Sequence, residues 1–246
     1  VLIRNILARA LALLFIGASC DVASAIPRKS EIALQQYRNA VIAKVIKRNF
    51  DIELVHGSQV EQTAYSDSHS LMYFTGPFYE IDGLTGKAAP IGDLFFHSRI
   101  EFASRESELF ASNRYFFAVN GARVEFGYGG WKPEYRQKYA FFIGGLGYLF
   151  NEHGVDSEYR DPYGSMAQRM HNIIPRERMV IGRDNAGDLM VMKTSPMLQE
   201  ESIGLAKRAG MVEAYFLDQG NRARLIVPGI LRDTPKNNLA YMMRVF

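Results

Sequence analysis

The amino-acid sequence predicts an α+β domain: a single unit with a mixed or largely antiparallel β-sheet and a few helices. Three observations predict it. Short segments rich in β-branched and aromatic residues recur along the chain, separated by turn pairs such as Asn120-Gly121 and Gly129-Gly130. Only residues 200–209 carry a clear helical signature, closed by Gly210 just past the helix end. Strand patterns do not alternate with long helical ones, so a parallel βαβ sheet is not expected.

The elements follow in chain order. Residues 1–25 read as a secretory signal peptide. Arg4 and Arg9 precede a short apolar run, and Val22-Ala23-Ser24-Ala25 offers a small-x-small cleavage site. That run is too short for a stable membrane span. Residues 26–39 are polar and are expected as an N-terminal lead-in, either a short helix or a mobile stretch. Residues 40–55 alternate and are rich in Val and Ile, which predicts two strands or one bent one, with a helix over 31–48 as the competing reading. A strand is expected before Gly76-Pro77 and another near 93–96. Further strands are expected at 115–119, 123–126, 139–143, 148–150, 178–181, 188–192, 213–217, 222–227 and 241–246. Residues 154–177 form a long polar connection with one helix-compatible piece, 165–172. The main domain is therefore expected over residues 40–246, with no internal repeat or low-complexity tract.

Composition narrows the function classes. The chain has 246 residues, 48% of them hydrophobic and 22% charged, enough to build a sizeable core. A net charge of only +3 without a dense basic block argues against a nucleic-acid partner. The single cysteine, Cys20, lies within the expected signal, so the mature chain needs no disulfide in an oxidising compartment. Cys20 also has a rival reading as a lipid-attachment site, but Gly17-Ala18-Ser19-Cys20 lacks the Leu of a lipobox. The expected location is secreted or periplasmic.

Several familiar sites are absent: there is no GxSxG elbow, no HExxH and no phosphate-binding P-loop. The five histidines never fall at metal-ligand spacing. Gly144, Gly145 and Gly147 imitate a dinucleotide loop only superficially, because no clear helix follows them. Close backbone packing within a strand or bulge accounts for them equally well.

Five segments, taken in order, say more than any one motif. FTGPFYE (residues 74–80) is followed by AAPIGDLFFHSRI, then FFIGGLGYLFNEHGV (141–155), then RMVIGRDNAGDLMVM (178–192), then IGLAKRAGMVEAYFLDQGNRARLIVPG (203–229). This succession resembles the phosphodiester glycosidase family, which includes the catalytic domain of the lysosomal uncovering enzyme and many secreted bacterial proteins. The resemblance is to an NGGFF-x-PIG opening, a GGP-L-L segment, an R-x-x-IG hairpin and an LDGGGS turn, and it spans roughly residues 40–246. There are departures. Thr75 stands where the family has Asn and Pro77 where it has Gly, and the LDGGGS turn reads Leu217-Asp218-Gln219-Gly220-Asn221-Arg222.

The resemblance implies hydrolysis of sugar-1-phosphodiester bonds in envelope or exported polysaccharide. Such a reaction passes through an oxocarbenium-like state favoured by a nearby carboxylate, and a guanidinium suits the phosphate. Asp218 is the candidate carboxylate, Arg178 the candidate phosphate grip and Glu80 a candidate second acid, with Asp82 an alternative. Each has a plainer reading: Asp218 as a turn cap, Arg178 as an edge-strand charge, Glu80 as loop composition. Thr75, Gly76, Gly145, Gly182, Gly220, Asn221 and Arg222 are the expected substrate-binding positions. Asp184 is expected to build the hairpin turn instead. No cofactor is expected, and a divalent metal such as calcium is left open. The altered turn supports an alternative, a catalytically degenerate periplasmic binding protein for anionic glycans. An envelope structural protein without a ligand is a third reading.

Overall fold

The computed structural model describes residues 24–25, 31–46, 49–56, 60, 63–81, 83–90, 92–96, 99–102, 115–121, 123–151, 174–233 and 239–246. The expected signal region before Ser24, the helix-compatible piece at 165–172 and Asp82 lie outside the described residues. In chain order the first strands are β1 (Ser24–Ala25), β2 (Ile32–Tyr37), β3 (Ala40–Val45), β4 (Ile52–His56), β5 (Met72–Thr75), β6 (Tyr79–Ile81), β7 (Ala88–Pro90), β8 (Asp93–Phe96) and β9 (Arg99–Phe102). There follow β10 (Tyr115–Asn120), β11 (Arg123–Tyr128), β12 (Phe141–Phe150), β13 (Met179–Asp184), β14 (Leu189–Thr194), β15 (Met211–Phe216), β16 (Leu225–Ile226) and β17 (Tyr241–Val245). The described α-helices are α1 (Tyr135–Lys138) and α2 (Gln199–Arg208).

An eleven-stranded sheet runs β1-β2-β3-β14-β13-β15-β12-β10-β11, with β8 and β9 joined to the side of β12. A four-stranded sheet runs β16-β5-β17-β4, and β6 and β7 form a separate ribbon. Neighbouring strands pair antiparallel, for example Ile181 opposite Val191 and Tyr215. The architecture is the expected α+β domain with antiparallel sheets, and the large sheet does not close into a barrel.

The central strands read as almost unbroken apolar runs because both of their faces are covered. Ile181, Val191 and Tyr215 point into a core shared with Phe74, Leu225, Met243 and Val245 of the smaller sheet. The alternate residues Val180, Met190, Met192, Ala214 and Phe216 pack with Leu205 and Ala206 of α2. The helix ends as expected, with Gly210 at φ +95°.

Three elements differ from expectation. Residues 32–37 form β2, paired residue for residue with β3 and also with Ser24–Ala25 of β1, so the expected lead-in is part of the sheet and residues 31–46 hold no helix. Ile32 and Leu34 face the core while Gln35 and Gln36 sit half-buried, a weak alternation that a polar composition conceals. Residues 141–150 are one long strand rather than two short ones. A bulge at Gly145, φ +78°, lets β12 pair with β8 through its first half and with β15 through its second. Residues 222–227 are not one strand: a 3₁₀ turn over Gly220–Arg222 precedes the two-residue β16.

Candidate functional site at the turn after β15

Strand β15 carries the chain into the interior and ends at Phe216; Leu217 and Asp218 follow. The turn is fastened along the segment entering β13. Leu217 N–H donates to Met179 O at 3.1 Å, and Gly220 N–H donates to Glu177 O at 2.8 Å. Gly220 has φ +68°, a conformation that favours glycine, so the retained glycine has a backbone reason. The turn also meets β5, because Asp218 N–H approaches Gly76 O at 3.4 Å. The Thr75 hydroxyl donates to Arg222 O at 2.6 Å and accepts from Arg224 N–H at 2.7 Å. Thr75 and Gly76 therefore hold the turn through its backbone. Gly76 has little room for a side chain, since a Cβ there would lie 3.1 Å from the Tyr241 Cβ.

Asp218 is buried, with 8% of the residue exposed. Its Oδ1 accepts from Gln219 N–H at 2.9 Å, the capping role open from sequence, while Oδ2 faces Arg222 Nη1 at 3.3 Å. Burial raises the carboxyl above its ordinary 3.8, and the Arg222 charge and the Gln219 hydrogen bond only partly offset this. Arg222 is more open than its partner, with 39% of its side chain exposed against 12% for Asp218. Its guanidinium lies over the Tyr79 ring, 4.4 Å from the centroid. Tyr79 in turn meets Tyr241 edge-on at 6.1 Å, and the Tyr241 hydroxyl donates to Ala88 O of β7. The β6–β7 ribbon thus forms one wall beside Asp218 and Arg222.

Arg178 is wholly buried. Its Nε donates to Met197 O at 3.2 Å, Nη2 to Ile174 O at 3.2 Å and Nη1 to the Gln219 side-chain oxygen at 2.7 Å. Burial, with a smaller contribution from Arg176, pulls its pKa down to about 10, so it remains cationic at neutral pH. Arg178 and Asp218 thus share Gln219: the Gln219 backbone bonds the acid and its side chain bonds the base.

The remaining predicted positions divide. Asn221 is exposed in the 3₁₀ turn. Glu80 lies in β6 opposite Ala89, next to Tyr79 in the chain. Gly182 serves packing: a Cβ there would lie 2.3 Å from Glu213 O on β15. Gly145 belongs to the β12 bulge, and beside it a Cβ on Gly92 would lie 2.7 Å from the Gly144 backbone. Asp184 builds its hairpin, accepting from Ala186 N–H and Asp188 N–H at 2.9 and 3.0 Å and pairing with Lys44. Sequence reasoning missed Gln219, Tyr79 and Tyr241 as parts of the site. For Gln219 the signal was present as a long polar side chain within a turn that otherwise resembles a glycine run.

Among the described residues no group of three or more His, Cys, Asp or Glu is gathered to hold a metal ion. A cleft of about 480 Å³ lies at the far end of β13, between Arg123 to Phe126 of β11 and the β13–β14 turn. Two of its carboxylates are already ion-paired, Glu125 with Lys138 and Asp188 with Lys44. The Asp218 turn, with a buried acid beside a more open guanidinium, is the stronger candidate on chemical grounds.

No family model and no curated protein matches the sequence. Solved structures do share the fold. The chain is similar to the catalytic domain of zebrafish N-acetylglucosamine-1-phosphodiester alpha-N-acetylglucosaminidase auto-inhibited by its pro-peptide, at 15% identity and a TM-score of 0.63 over 91% of this chain and 81% of that one. It is also similar to a hypothetical protein from Synechocystis, at 10% identity and a TM-score of 0.57 over 91% of this chain and 61% of that one. A protein of Burkholderia pseudomallei K96243 that is inferred to be exported matches at 8% identity and a TM-score of 0.54, over 87% and 74% of the two chains. Identities this low establish a shared fold. No helix among the described residues is long and apolar enough to cross a membrane.

Proposed function

We propose that this chain is a secreted, phosphodiester glycosidase-like protein that hydrolyses sugar-1-phosphodiester bonds in envelope or exported polysaccharide at the Asp218 turn. The observation that carries this reading is the pairing of buried Asp218 with the half-open Arg222 guanidinium. The shared fold with a phosphodiester glycosidase catalytic domain supports it.

In this reaction the bond between the anomeric carbon and the phosphate oxygen breaks, and its electron pair leaves with the phosphate monoester. A water oxygen forms the new bond to the anomeric carbon. Asp218 faces the positive charge that develops on the sugar and accepts the proton released by the water. The leaving phosphate is weakly basic, so it calls for charge stabilisation rather than a proton, and a guanidinium supplies that. Burial brings the Asp218 pKa closer to neutral pH, where a proton acceptor works well. The test is release of free sugar from a panel of α- and β-linked sugar-1-phosphodiesters by the protein, with calcium and EDTA arms. Release supports hydrolysis; no release from any member by folded protein removes it.

One observation favours a second reading, a catalytically degenerate binding protein for anionic glycans in the periplasm. Arg178, which a hydrolase would direct at phosphate, is committed to Gln219 and to two backbone carbonyls. Binding of a glycosyl phosphate without turnover supports that reading.

A further inference from the structure

Two arginines flank the Asp218 turn, and their surroundings give them different work. Arg178 is wholly buried and directs Nε, Nη1 and Nη2 at acceptors inside the protein, the nearest being the Gln219 side chain at 2.7 Å. Turning it onto a ligand would break several buried hydrogen bonds together. Arg222 has the opposite setting. Its side chain is 39% exposed and its contact with Asp218 Oδ2 is long, at 3.3 Å. Its guanidinium carbon lies over the Tyr79 ring, 4.4 Å from the centroid, so the ring backs the cation on one side.

We propose that Arg222 is the anion-reading residue of this site, with Tyr79 as its platform, and that Gln219 sets this choice by holding Arg178 in a structural role. The proposal rests on the reading of the Asp218 turn as a glycosyl phosphodiester site, and it names the group that selects anionic substrates. It also couples selection to chemistry. Arg222 stays on Asp218 until a phosphate competes for it; the phosphate draws the guanidinium away and leaves the carboxylate for the sugar. A neutral glycoside cannot do this, so the site discriminates by charge before any bond breaks.

Calorimetry of the protein with inorganic phosphate, glucose 1-phosphate and neutral methyl glucoside tests it. Wild type is expected to bind the phosphates more tightly than the neutral sugar. Arg222→Gln should weaken phosphate binding about 10- to 100-fold, the loss of a charged hydrogen bond, and leave the neutral sugar unchanged. Arg222→Lys should fall between, because it keeps charge but loses the planar fork. Asp218→Asn should tighten phosphate binding several-fold, since the competing anion is gone, and most of that gain should be absent when Arg222→Gln is present as well. Thermal melts confirm that each variant is folded. Phosphate binding that survives Arg222→Gln at full strength overturns this assignment and leaves the site reading standing. Wild type that binds neither phosphate counts against the site reading and takes the assignment with it.

Discussion

The side-chain oxygen of Gln219 accepts a hydrogen bond from Arg178 Nη1 at 2.7 Å, across a boundary that backbone hydrogen bonds also hold. The bond ties the turn after β15 to the segment entering β13 at the place where Asp218 leaves the strand. Gln219 therefore does two things: its N–H orients the Asp218 carboxylate and its side chain restrains the buried arginine.

Gln219→Ala removes the acceptor that this side chain offers to Arg178. Weakening the hydrogen bonding of a buried charged group costs about 1–3 kcal/mol, so the urea midpoint should fall. A midpoint equal to wild type would show that the bond contributes nothing to holding the turn.

Asp218 carries a pKa raised by burial, so its charged form is disfavoured in the folded state relative to the unfolded one. The sign follows: folding is penalised at pH above the raised value, and the penalty disappears as pH falls below the ordinary 3.8. Asp218→Asn should accordingly raise Tm at pH 7. The gain should hold at pH above the raised value and vanish as pH falls below the ordinary 3.8. A loss of Tm at pH 7 would mean that the Arg222 and Gln219 bonds outweigh burial.

Asp67 behaves in the opposite sense. Burial works to raise its pKa, but hydrogen bonds from Ser70, Tyr73 and the His69 N–H, with the Arg244 charge, hold it at about 2. Its contribution is fully present above the ordinary 3.8 and is lost as pH falls through about 2. Asp67→Asn should lower stability at pH 7, and the two proteins should converge in acid. A gap that stays constant from pH 7 to pH 2 would show that the charge on Asp67 is not what matters.

Gly182→Ala would put a methyl 2.3 Å from the Glu213 carbonyl oxygen, a backbone atom of the paired strand that cannot swing aside. Overpacking of this kind costs about 1–3 kcal/mol. Equilibrium unfolding measures it, and a neutral result would mean that β13 and β15 separate easily at this position.

Much of the sheet was legible because its central strands announce themselves: Val180, Ile181, Met190 and Val191 are apolar on both faces, and Asn120-Gly121 and Gly210 mark turns. Strand β2 was hidden because Gln35, Gln36 and Tyr37 are polar or only partly buried, near one side of a sheet. The unity of β12 was hidden because Gly144, Gly145 and Gly147 read as a break, whereas the bulge absorbs them. Asp218 was visible as an acid at a strand end, and Arg178 as a charge beside a strand. Complete burial of Arg178 ran against the usual habit of arginine. The Tyr79 and Tyr241 wall was beyond reach, because it joins residues far apart in the chain through the register of separate sheets.

The central claim is that the Asp218 carboxyl carries out chemistry on a glycosyl phosphodiester. The most direct measurement compares wild type with Asp218→Asn for sugar release from the same sugar-1-phosphodiester, with both proteins shown to be folded. The account predicts release by wild type and a loss of at least about 100-fold in the variant, the lower end of what a positioned proton acceptor contributes. Equal release by the two proteins would contradict it and move the chemistry away from the turn after β15.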